Sequence, residues 1–404
     1  MPIAAGVFKQ LAYKAETVYG TVPSASGAQS LRRVSSDLSL TKDTYQSNEI
    51  RLDQQIADFR HGVRRVSGKV TGELSPRTYQ DFFAAALRRD FTAGVSAASV
   101  SLTIAGSGPT YTITRGAGSY LTDGFKVGDV VRITAGSVNA NNLNKNALVV
   151  TLTATVATVL VLNGSTMTAE GPIATCTIAV TGRKTFVPTT GHTDRSFSIE
   201  HWFSDVPTSE VFDGCKVSKI ALALPPTGMV TVDMDVMGQD VTTSASQYFT
   251  SPTAATSTGC LASVNGILRL GGSTIATLTG LSLEISSNQT GDPVVGSNVV
   301  PQMFPGRVLV SGQATAYFDS GTLRDAFIAE SELELIGAFS TGSAANADFM
   351  TFVLPRIKLG GASKNDGESG IVQTIPFTAL FNSAGGSGTT TEQTTIVVQD
   401  SAAV

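Results

Sequence analysis

The stretch at residues 68–86 reads GKVTGELSPRTYQDFFAAA, and a related stretch at residues 312–330 reads GQATAYFDSGTLRDAFIAE. Aligned without a gap, at an offset of 244 residues, they share six identities: Gly68/Gly312, Thr71/Thr315, Thr78/Thr322, Asp81/Asp325, Phe83/Phe327 and Ala85/Ala329. The same offset holds upstream, at Gly62/Gly306, Val66/Val310 and Ser67/Ser311. A period this long predicts a duplicated domain rather than a solenoid of short repeats.

Each copy predicts a strand that leads into a short amphipathic helix. In the first copy, apolar or glycine positions alternate with polar ones, which is strand periodicity with one buried face: Val66, Gly68, Val70, Gly72 and Leu74. Ser75 then predicts a helix N-cap with Pro76 at the first helical position, and Asp319 takes the capping position in the second copy. Apolar residues at helical spacing follow, so we expect each helix to pack its apolar face on a sheet.

The later part of the repeat has a different offset, which predicts an insertion. Residues 370–372 (GIV) match residues 228–230 (GMV) at an offset of 142. The difference from 244 is close to the length of a block at residues 91–181 that is rich in Ser, Thr, Ala and Val and carries short alternating runs. We therefore predict a first domain (residues 1–94 and 183–255), an inserted all-β domain (95–182) and a second domain (256–404), called below the first half, the insert and the second half.

The composition favours β-sheets joined by turns over a helical enzyme. Charged residues make up only 15% of the 404 residues, which is low for the solvated surface of a monomer. We therefore expect neighbouring subunits to cover much of the surface. The net charge of −4 disfavours a nucleic-acid reader, which normally carries a basic face.

The sequence carries no sign of secretion or membrane insertion. The three cysteines, Cys176, Cys215 and Cys260, form no CxxC pair, and we expect small buried residues in a reducing compartment. The N-terminus lacks a basic region followed by an apolar core, so no signal peptide is predicted. No run approaches about 18 apolar residues, so no membrane-spanning helix is predicted.

The sequence also lacks motifs for catalysis, metals or cofactors. His61, His192 and His201 do not stand at metal-ligand spacing from a cysteine, and we expect structural or exposed histidines. Neither a phosphate-binding GxxxxGK[ST] loop nor a GxSxG nucleophile elbow occurs. No enzyme and no cofactor are predicted.

Two pairs of alternating acids stand on predicted strands. Asp233 and Asp235 point to the face opposite the apolar residues of their strand, so a solvated face is a simpler interpretation than a cation site. Glu332 and Glu334 have the same spacing and the same interpretation.

A long polar segment at residues 44–62 separates two predicted strands. Hairpin loops usually have about 2–5 residues, and longer loops are usually functional. We expect this segment to contact another molecule, and a solvated flap is the alternative.

Four stretches of the chain resemble the tail tube proteins, or major tail proteins, of long-tailed, siphovirus-type bacteriophages: residues 8–23, 47–87, 212–239 and 312–330. The resemblance implies a mainly β fold of duplicated β-sandwich or barrel domains, each with a flanking helix, plus the inserted all-β domain. It implies a structural subunit whose sheets join between neighbours into rings. The rings would stack into a hollow conduit for the genome during ejection into the host.

The resemblance also implies partners and a location. The subunit would bind other copies of itself, a tape measure protein in the lumen, and tail terminator and tail tip proteins. Double-stranded DNA would pass without specific binding, and no membrane would be involved. The tube would belong to the virion tail and be assembled in the host cytoplasm. Because such folds usually occur six to a ring, we expect three chains of this duplicated protein per ring, with six chains as the alternative.

Site residues are expected at two surfaces of the tube. The bore should be neutral to acidic, because a basic wall would grip DNA, and its candidate residues are Glu200, Asp233, Asp235, Glu332 and Glu334. Contacts between rings are expected from the polar segment, with Tyr45, Asn48, Glu49, Arg51, Asp53, Phe59 and Arg60 as candidates. The insert is expected to decorate the outside.

Two other function classes remain open from the residues alone. A surface adhesin or binding module would explain the β content, although the helix pair is unusual for it. A carbohydrate-active enzyme would need paired carboxylates in an aromatic-lined cleft, and one tryptophan disfavours it.

Overall fold

Alternating apolar and polar residues give the chain a mainly β structure, and the computed structural model describes residues 3–275, 277–366 and 368–404. The first half begins with a 3-10 turn (Gly6–Phe8) and then contains β1 (Lys9–Ala15), β2 (Gln29–Ser30), β3 (Ser35–Ser36), β4 (Ser39–Gln46), β5 (Phe59–Glu73), α1 (Gln80–Leu87) and β6 (Thr92–Ala93).

The insert is a closed barrel of six strands. Its elements are β7 (Ser96–Ser107), β8 (Thr110–Arg115), α2 (Tyr120–Asp123), β9 (Val130–Ala135), a 3-10 turn (Ala140–Asn142), β10 (Ala147–Leu152), β11 (Val156–Val161) and β12 (Glu170–Val180). The strands follow one another around the barrel in the order β10, β11, β8, β7, β12, β9. Closure pairs every edge, as small β-barrels require.

The remaining elements form one large sheet with those of the first half. The first half resumes with β13 (Arg183–Phe186), β14 (Phe197–Phe203), β15 (Thr208–Leu224), β16 (Thr231–Gly238) and β17 (Asp240–Ser244). The second half contains a 3-10 turn (Ser263–Asn265), β18 (Gly266–Leu270), β19 (Ser273–Thr274), β20 (Leu278–Ser286), β21 (Leu309–Tyr317), α3 (Thr322–Ile328), β22 (Leu333–Ser340), β23 (Phe349–Leu359), β24 (Ser363–Lys364), β25 (Val372–Ala379) and β26 (Val397–Asp400). The prediction of a mainly β fold is confirmed.

The two halves have the same strand order. In the first half, hydrogen-bonded neighbours run β1, β14, β15, β16, β5, β4. In the second half they run β18, β22, β23, β25, β21, β20. The corresponding strands also follow one another in the same order along the chain, with α1 after β5 and α3 after β21. The duplication is therefore visible in strand pairing as well as in sequence.

The halves are fused through one sheet and one core. Strand β15 of the first half pairs antiparallel with β20 of the second, from Lys219 opposite Ser286 to Leu224 opposite Leu281. A single cluster of buried apolar side chains spans both halves, with Phe83 and Phe352 in ring contact at a centroid distance of 6.1 Å. The C-terminal strand β26 adds a second link, since it pairs with β13 on one side and β23 on the other.

Both helices begin later than the sequence predicts. The Ser75 hydroxyl lies 2.6 Å from the Thr78 hydroxyl, and Arg77 has a φ of 69°, so residues 76–79 form turns and α1 begins at Gln80. The prediction that Ser75 caps the helix was wrong, because this local hydrogen bond uses its hydroxyl. Asp319 is not a cap either, since the N-cap of α3 is Gly321.

The insert packs against the second half rather than standing alone. Its apolar cluster continues into Ile336, Phe349 and Val353 of β22 and β23. At the same boundary, the Lys184 ammonium donates to Asp129 Oδ1 at 2.9 Å and to Glu392 Oε1 at 3.4 Å, and all three side chains are mostly buried. The insert therefore covers an apolar face of the second half.

Candidate assembly interface

The described residues show no cluster of side chains suited to a metal ion. In the described ranges, no three His, Cys, Asp or Glu side chains are grouped to hold a metal ion. His201 is buried and hydrogen-bonded to the Ser36 hydroxyl at 2.8 Å, and burial lowers its pKa to about 3, so it is a neutral structural imidazole. Cys176 and Cys215 are buried as predicted, whereas Cys260 is only half-buried.

The junction between β15 and β20, called the seam below, joins the two halves. It has apolar side chains on one face of the sheet and charged side chains on the other. Along it, Leu222 faces Leu283 and Ile220 faces Ile285, and all four side chains are buried on the core side. On the other side, the Lys219 ammonium lies 3.8 Å from Glu284 Oε2 across the seam. Main-chain pairing, packing and charge therefore act together where the halves meet.

Each end of the joined sheet presents an edge that matches one side of this seam. Strand β4, the counterpart of β20, pairs only with β5 in the described part of the chain. Strand β23, the counterpart of β15, pairs with β22 as far as Ile357, and the following residues 358–364 pair on one edge only, with β25, among the residues that the structure describes. In the described part of the chain, the sheet thus has two complementary free edges, one at β4 and one at residues 358–364. Free strand edges favour association with another strand.

One face of the joined sheet is polar and carries a network of alternating charges. On β16, Val232, Met234 and Val236 are buried, whereas Asp233 and Asp235 between them are half-exposed. The Lys69 ammonium lies 3.5 Å from Asp233 Oδ2. This face is the solvated side of the sheet, opposite the core.

The network crosses four neighbouring strands. The Lys219 ammonium lies 3.2 Å from Asp235 Oδ2 and 3.8 Å from Glu284 Oε2, so the ion pairs continue from β5 through β16 and β15 to β20. The hydrogen bond to Asp235 raises the pKa of the Lys219 ammonium. Two lysines face three carboxylates, which makes the cluster acidic by one charge.

Glu200 does not belong to this face, and its prediction as a bore residue was wrong. Its side chain is fully buried. The carboxylate accepts hydrogen bonds from the Ser209 hydroxyl at 2.6 Å and from the backbone amides of Tyr248 and Phe249 at 2.6 and 2.9 Å. A buried carboxylate with three donors is a structural group, and the segment that buries it begins more than forty residues further along the chain.

The second pair of predicted acids lies at the start of β22. Glu332 is exposed and forms an ion pair with Arg356. Glu334 is half-buried, its Oε1 atom has no hydrogen-bond partner among the described residues, and burial raises its pKa to about 7. These acids are separate from the Asp233 and Asp235 network.

Residues 9–379 match the family model described as Phage tail tube protein. The chain belongs to the phage tail tube protein family. A search of curated proteins gives no match. Membership makes the protein a structural component of the virion tail that assembles with itself into a tube and works with other tail proteins.

No helix in the described part of this tail tube protein is long and apolar enough to cross a membrane.

The residues predicted to contact the next ring lie on the hairpin formed by the ends of β4 and β5 and the loop between them. All are at least partly exposed: Tyr45, Asn48, Glu49, Arg51, Asp53, Phe59 and Arg60. Arg51 pairs with Asp53 at 2.9 Å within the loop. Three further apolar side chains are exposed beside them, Ile50, Leu52 and Ile56.

The free sheet edges of the tail tube protein were not predicted from the sequence. Strand alternation predicts which face of a strand is buried, but it carries no information about which strand is the neighbour. The repeat itself contained a usable signal, because two copies joined side by side must leave one unpaired edge of each kind.

Proposed function

We propose that three copies of this protein form a ring with pseudo-sixfold symmetry and that stacked rings form the tail tube of a siphovirus-type phage. The observation that carries the proposal is the β15–β20 seam inside one chain. The same pairing can repeat between copies, with residues 358–364 of one copy beside β4 of the next. Each copy then has one donor edge and one acceptor edge, which is the head-to-tail arrangement that closes a ring.

The number of strands supports a ring of three. One chain supplies eight joined strands, β4, β5, β16, β15, β20, β21, β25 and β23. Three copies supply 24 strands, and at a spacing of about 4.8 Å these enclose a diameter of about 37 Å, before strand tilt widens it. Inner side chains of about 5 Å leave a channel of roughly 27 Å, which admits a DNA duplex. Six copies would double the diameter.

The polar face would line the channel, because the opposite face carries the core. Asp233 and Asp235 are then bore residues, and Glu332 and Glu334 remain candidates. The balanced, slightly acidic network lets DNA slide, since it offers no basic wall that releases counterions. During assembly in the host cytoplasm the same channel would hold the tape measure protein, and the two tube ends would meet the tail terminator and tail tip proteins.

Electron microscopy of the purified protein at high concentration, with light scattering on the same sample, tests the ring. We expect rings or tubes whose smallest closed species has the mass of three chains. Rings of six chains would contradict the proposed stoichiometry of three but would still support the tube. A protein that stays monomeric even when mixed with tail initiation complexes would overturn the proposal.

Charge reversal tests the assignment of the bore. Replacing Asp233→Lys and Asp235→Lys should leave tubes intact but slow DNA release from phage particles several-fold, because four lysines would then face one glutamate. The control adds two lysines at the exposed positions Ala154 and Thr155 of the insert. Normal release from particles with the reversed network would show that this face does not line the channel.

A further inference from the structure

The two halves carry equivalent loops that behave differently in a single chain. The second arm, residues 287–306, joins β20 to β21 and lies across the strand ends of the first half. The Gln239 amide donates to the Val300 carbonyl at 2.7 Å, and the Lys216 ammonium donates to the Met303 carbonyl at 2.7 Å. Val300 and Met303 are only 2% and 3% exposed, so the second arm is part of the folded core.

The first arm, residues 47–58, joins β4 to β5, and its backbone has no hydrogen bond to the other half among the residues that the structure describes. At the offset of 244 that aligns Gly62 with Gly306, Ile56 corresponds to Val300, and Phe59, the first residue of β5, corresponds to Met303. Ile56 is 67% exposed and Phe59 is 48% exposed. Apolar positions that are buried in one copy of the repeat are therefore solvated in the other.

The second half also has the counterpart of the surface that receives the second arm. Strand register places Lys358 opposite Thr378, as Lys216 is placed opposite Met237. Each lysine has an acidic partner, Asp194 at 2.6 Å from Lys216 and Glu330 at 3.5 Å from Lys358.

This second surface is uncovered in the single chain. The Lys216 side chain is 2% exposed, whereas the Lys358 side chain is 39% exposed. Leu309 and Phe381, at the neighbouring strand ends, are 48% and 47% exposed. An apolar surface with a half-exposed lysine thus remains open, in the place where the first half is covered by the second arm.

We infer that the first arm docks on the second half of the neighbouring copy within the same ring. Ile56 and Phe59 pack against the surface formed by Leu309 and Phe381, and the Lys358 ammonium donates to the Phe59 carbonyl. The occupant is a second copy of this chain, because the second arm of the same repeat already binds the equivalent surface of the first half. The polar side chains at the tip of the arm stay available for contacts with the next ring.

The inference rests on the proposed ring, because β4 leads into the first arm as β20 leads into the second. Docking of the arm would extend each junction between copies beyond main-chain pairing. It would also bury apolar side chains that are exposed in the free subunit, which favours association through the hydrophobic effect.

Cross-linking of assembled tubes tests where the first arm binds. Ala57→Cys on the arm and Thr378→Cys beside Lys358 are both exposed and leave the docking residues intact. With Cys260→Ser as background, a flexible bis-maleimide should give a covalent series that ends at the number of chains in one ring. Each single-cysteine protein is the control and should give no series.

The outcomes separate the inference from the proposed function. A series that grows far beyond one ring would show that the arm joins different rings, and tubes without cross-links would show that it docks elsewhere; either result overturns the inference and leaves the tube. A protein that forms no rings at all would overturn both.

A variant pair gives a second measurement. Ile56→Asp should raise the concentration needed for assembly at least tenfold while leaving the circular dichroism of the free subunit unchanged, because Ile56 is exposed there. Val295→Asp, at a fully exposed position of the second arm, is the matched control and should assemble normally. Unchanged assembly of the Ile56→Asp protein would contradict docking of the arm.

Discussion

Helices α1 and α3 arise from the same repeated sequence but have different surroundings. Five of the eight residues of α1 are buried, whereas none of the seven residues of α3, all of which the structure describes, is buried. Phe83 of α1 is fully buried, and its counterpart Phe327 is 38% exposed. The amphipathic pattern is similar in both, so the pattern alone does not bury a helix.

The difference comes from the neighbours that each helix has in a single chain. Phe83 contacts Phe352 of the second half, and the amide of the C-terminal Val404 donates to Gln80 at 3.0 Å. The first helix is therefore covered partly by the half that follows it. In the proposed ring, the half that would follow α3 belongs to another copy, so the proposal predicts that α3 is covered only after assembly.

The largest expected effect is the loss of an aromatic ring from each helix. Phe83→Ala should cost about 3–5 kcal/mol of unfolding free energy, because it leaves a cavity in the shared core. Phe327→Ala should cost less than about 1 kcal/mol in the unassembled subunit, because its ring is partly solvated there. Urea denaturation of the dispersed protein measures both.

The assembled state provides the complementary result for the two helices. If α3 is covered by a neighbouring copy, Phe327→Ala should weaken ring formation although it hardly affects the free subunit. Equal losses for both variants in the dispersed protein would break the comparison, since they would mean that α3 is already packed.

Smaller effects on the unfolding free energy are expected from replacing two carboxylates on corresponding strands, and the two replacements should have opposite signs. Glu200 on β14 has three hydrogen-bond donors, so Glu200→Gln should destabilise the subunit by about 2–3 kcal/mol, because the new amide would place a donor against donors. Glu334 on β22 has a buried oxygen that finds no partner in the described part of the chain, so Glu334→Gln should stabilise the subunit by about 1–2 kcal/mol at pH 8.

The pH dependence of the Glu334 variant follows from the direction of its pKa shift. Burial raises the folded pKa from 4.5 to about 7, so the folded state binds more protons than the unfolded state between these values. This group's contribution to stability therefore falls as the pH rises through that window. Thermal unfolding should show a much larger benefit of Glu334→Gln at pH 8 than at pH 5, and an equal benefit at both would exclude titration of Glu334 as the cause.

The smallest expected effect concerns a feature that the two helices share. Arg88 after α1 has a φ of 60° and Glu330 after α3 has a φ of 50°, so both helices end with a non-glycine residue in the left-handed region. Arg88→Gly and Glu330→Gly should each stabilise the free subunit by about 0.5 kcal/mol, because glycine adopts this conformation without strain. Similar shifts in melting temperature would show that the helix ends are equivalent and that only their cover differs.

The repeat in the sequence predicted much of the fold, because the two copies within the chain form the same strands and helices. The offset from Gly68 to Gly312 located β5, β21 and both helices. The start of α1 was predicted wrongly because the Ser75 hydroxyl forms a hydrogen bond with the Thr78 hydroxyl, and residue spacing does not predict that bond.

The candidate site was harder to predict than the fold, as two acids illustrate. Glu200 and Asp235 both alternate with apolar residues on their strands. Glu200 is buried by amides of Tyr248 and Phe249, whereas Asp235 meets Lys69 and Lys219 on the solvated face. Alternation separates two faces of a strand, but only the tertiary fold decides which polar face a distant segment covers.

The position of β26 has a consequence for the order in which the links between the two halves form during synthesis. This strand lies between β13 and β23, yet it follows both of them in the chain. Domains form progressively from the N-terminus during translation, so β13 and β23 emerge from the ribosome before the strand that links them. A nascent chain that has not yet exposed β26 therefore lacks one of the links between its halves, and the emergence of β26 is the step that adds this link.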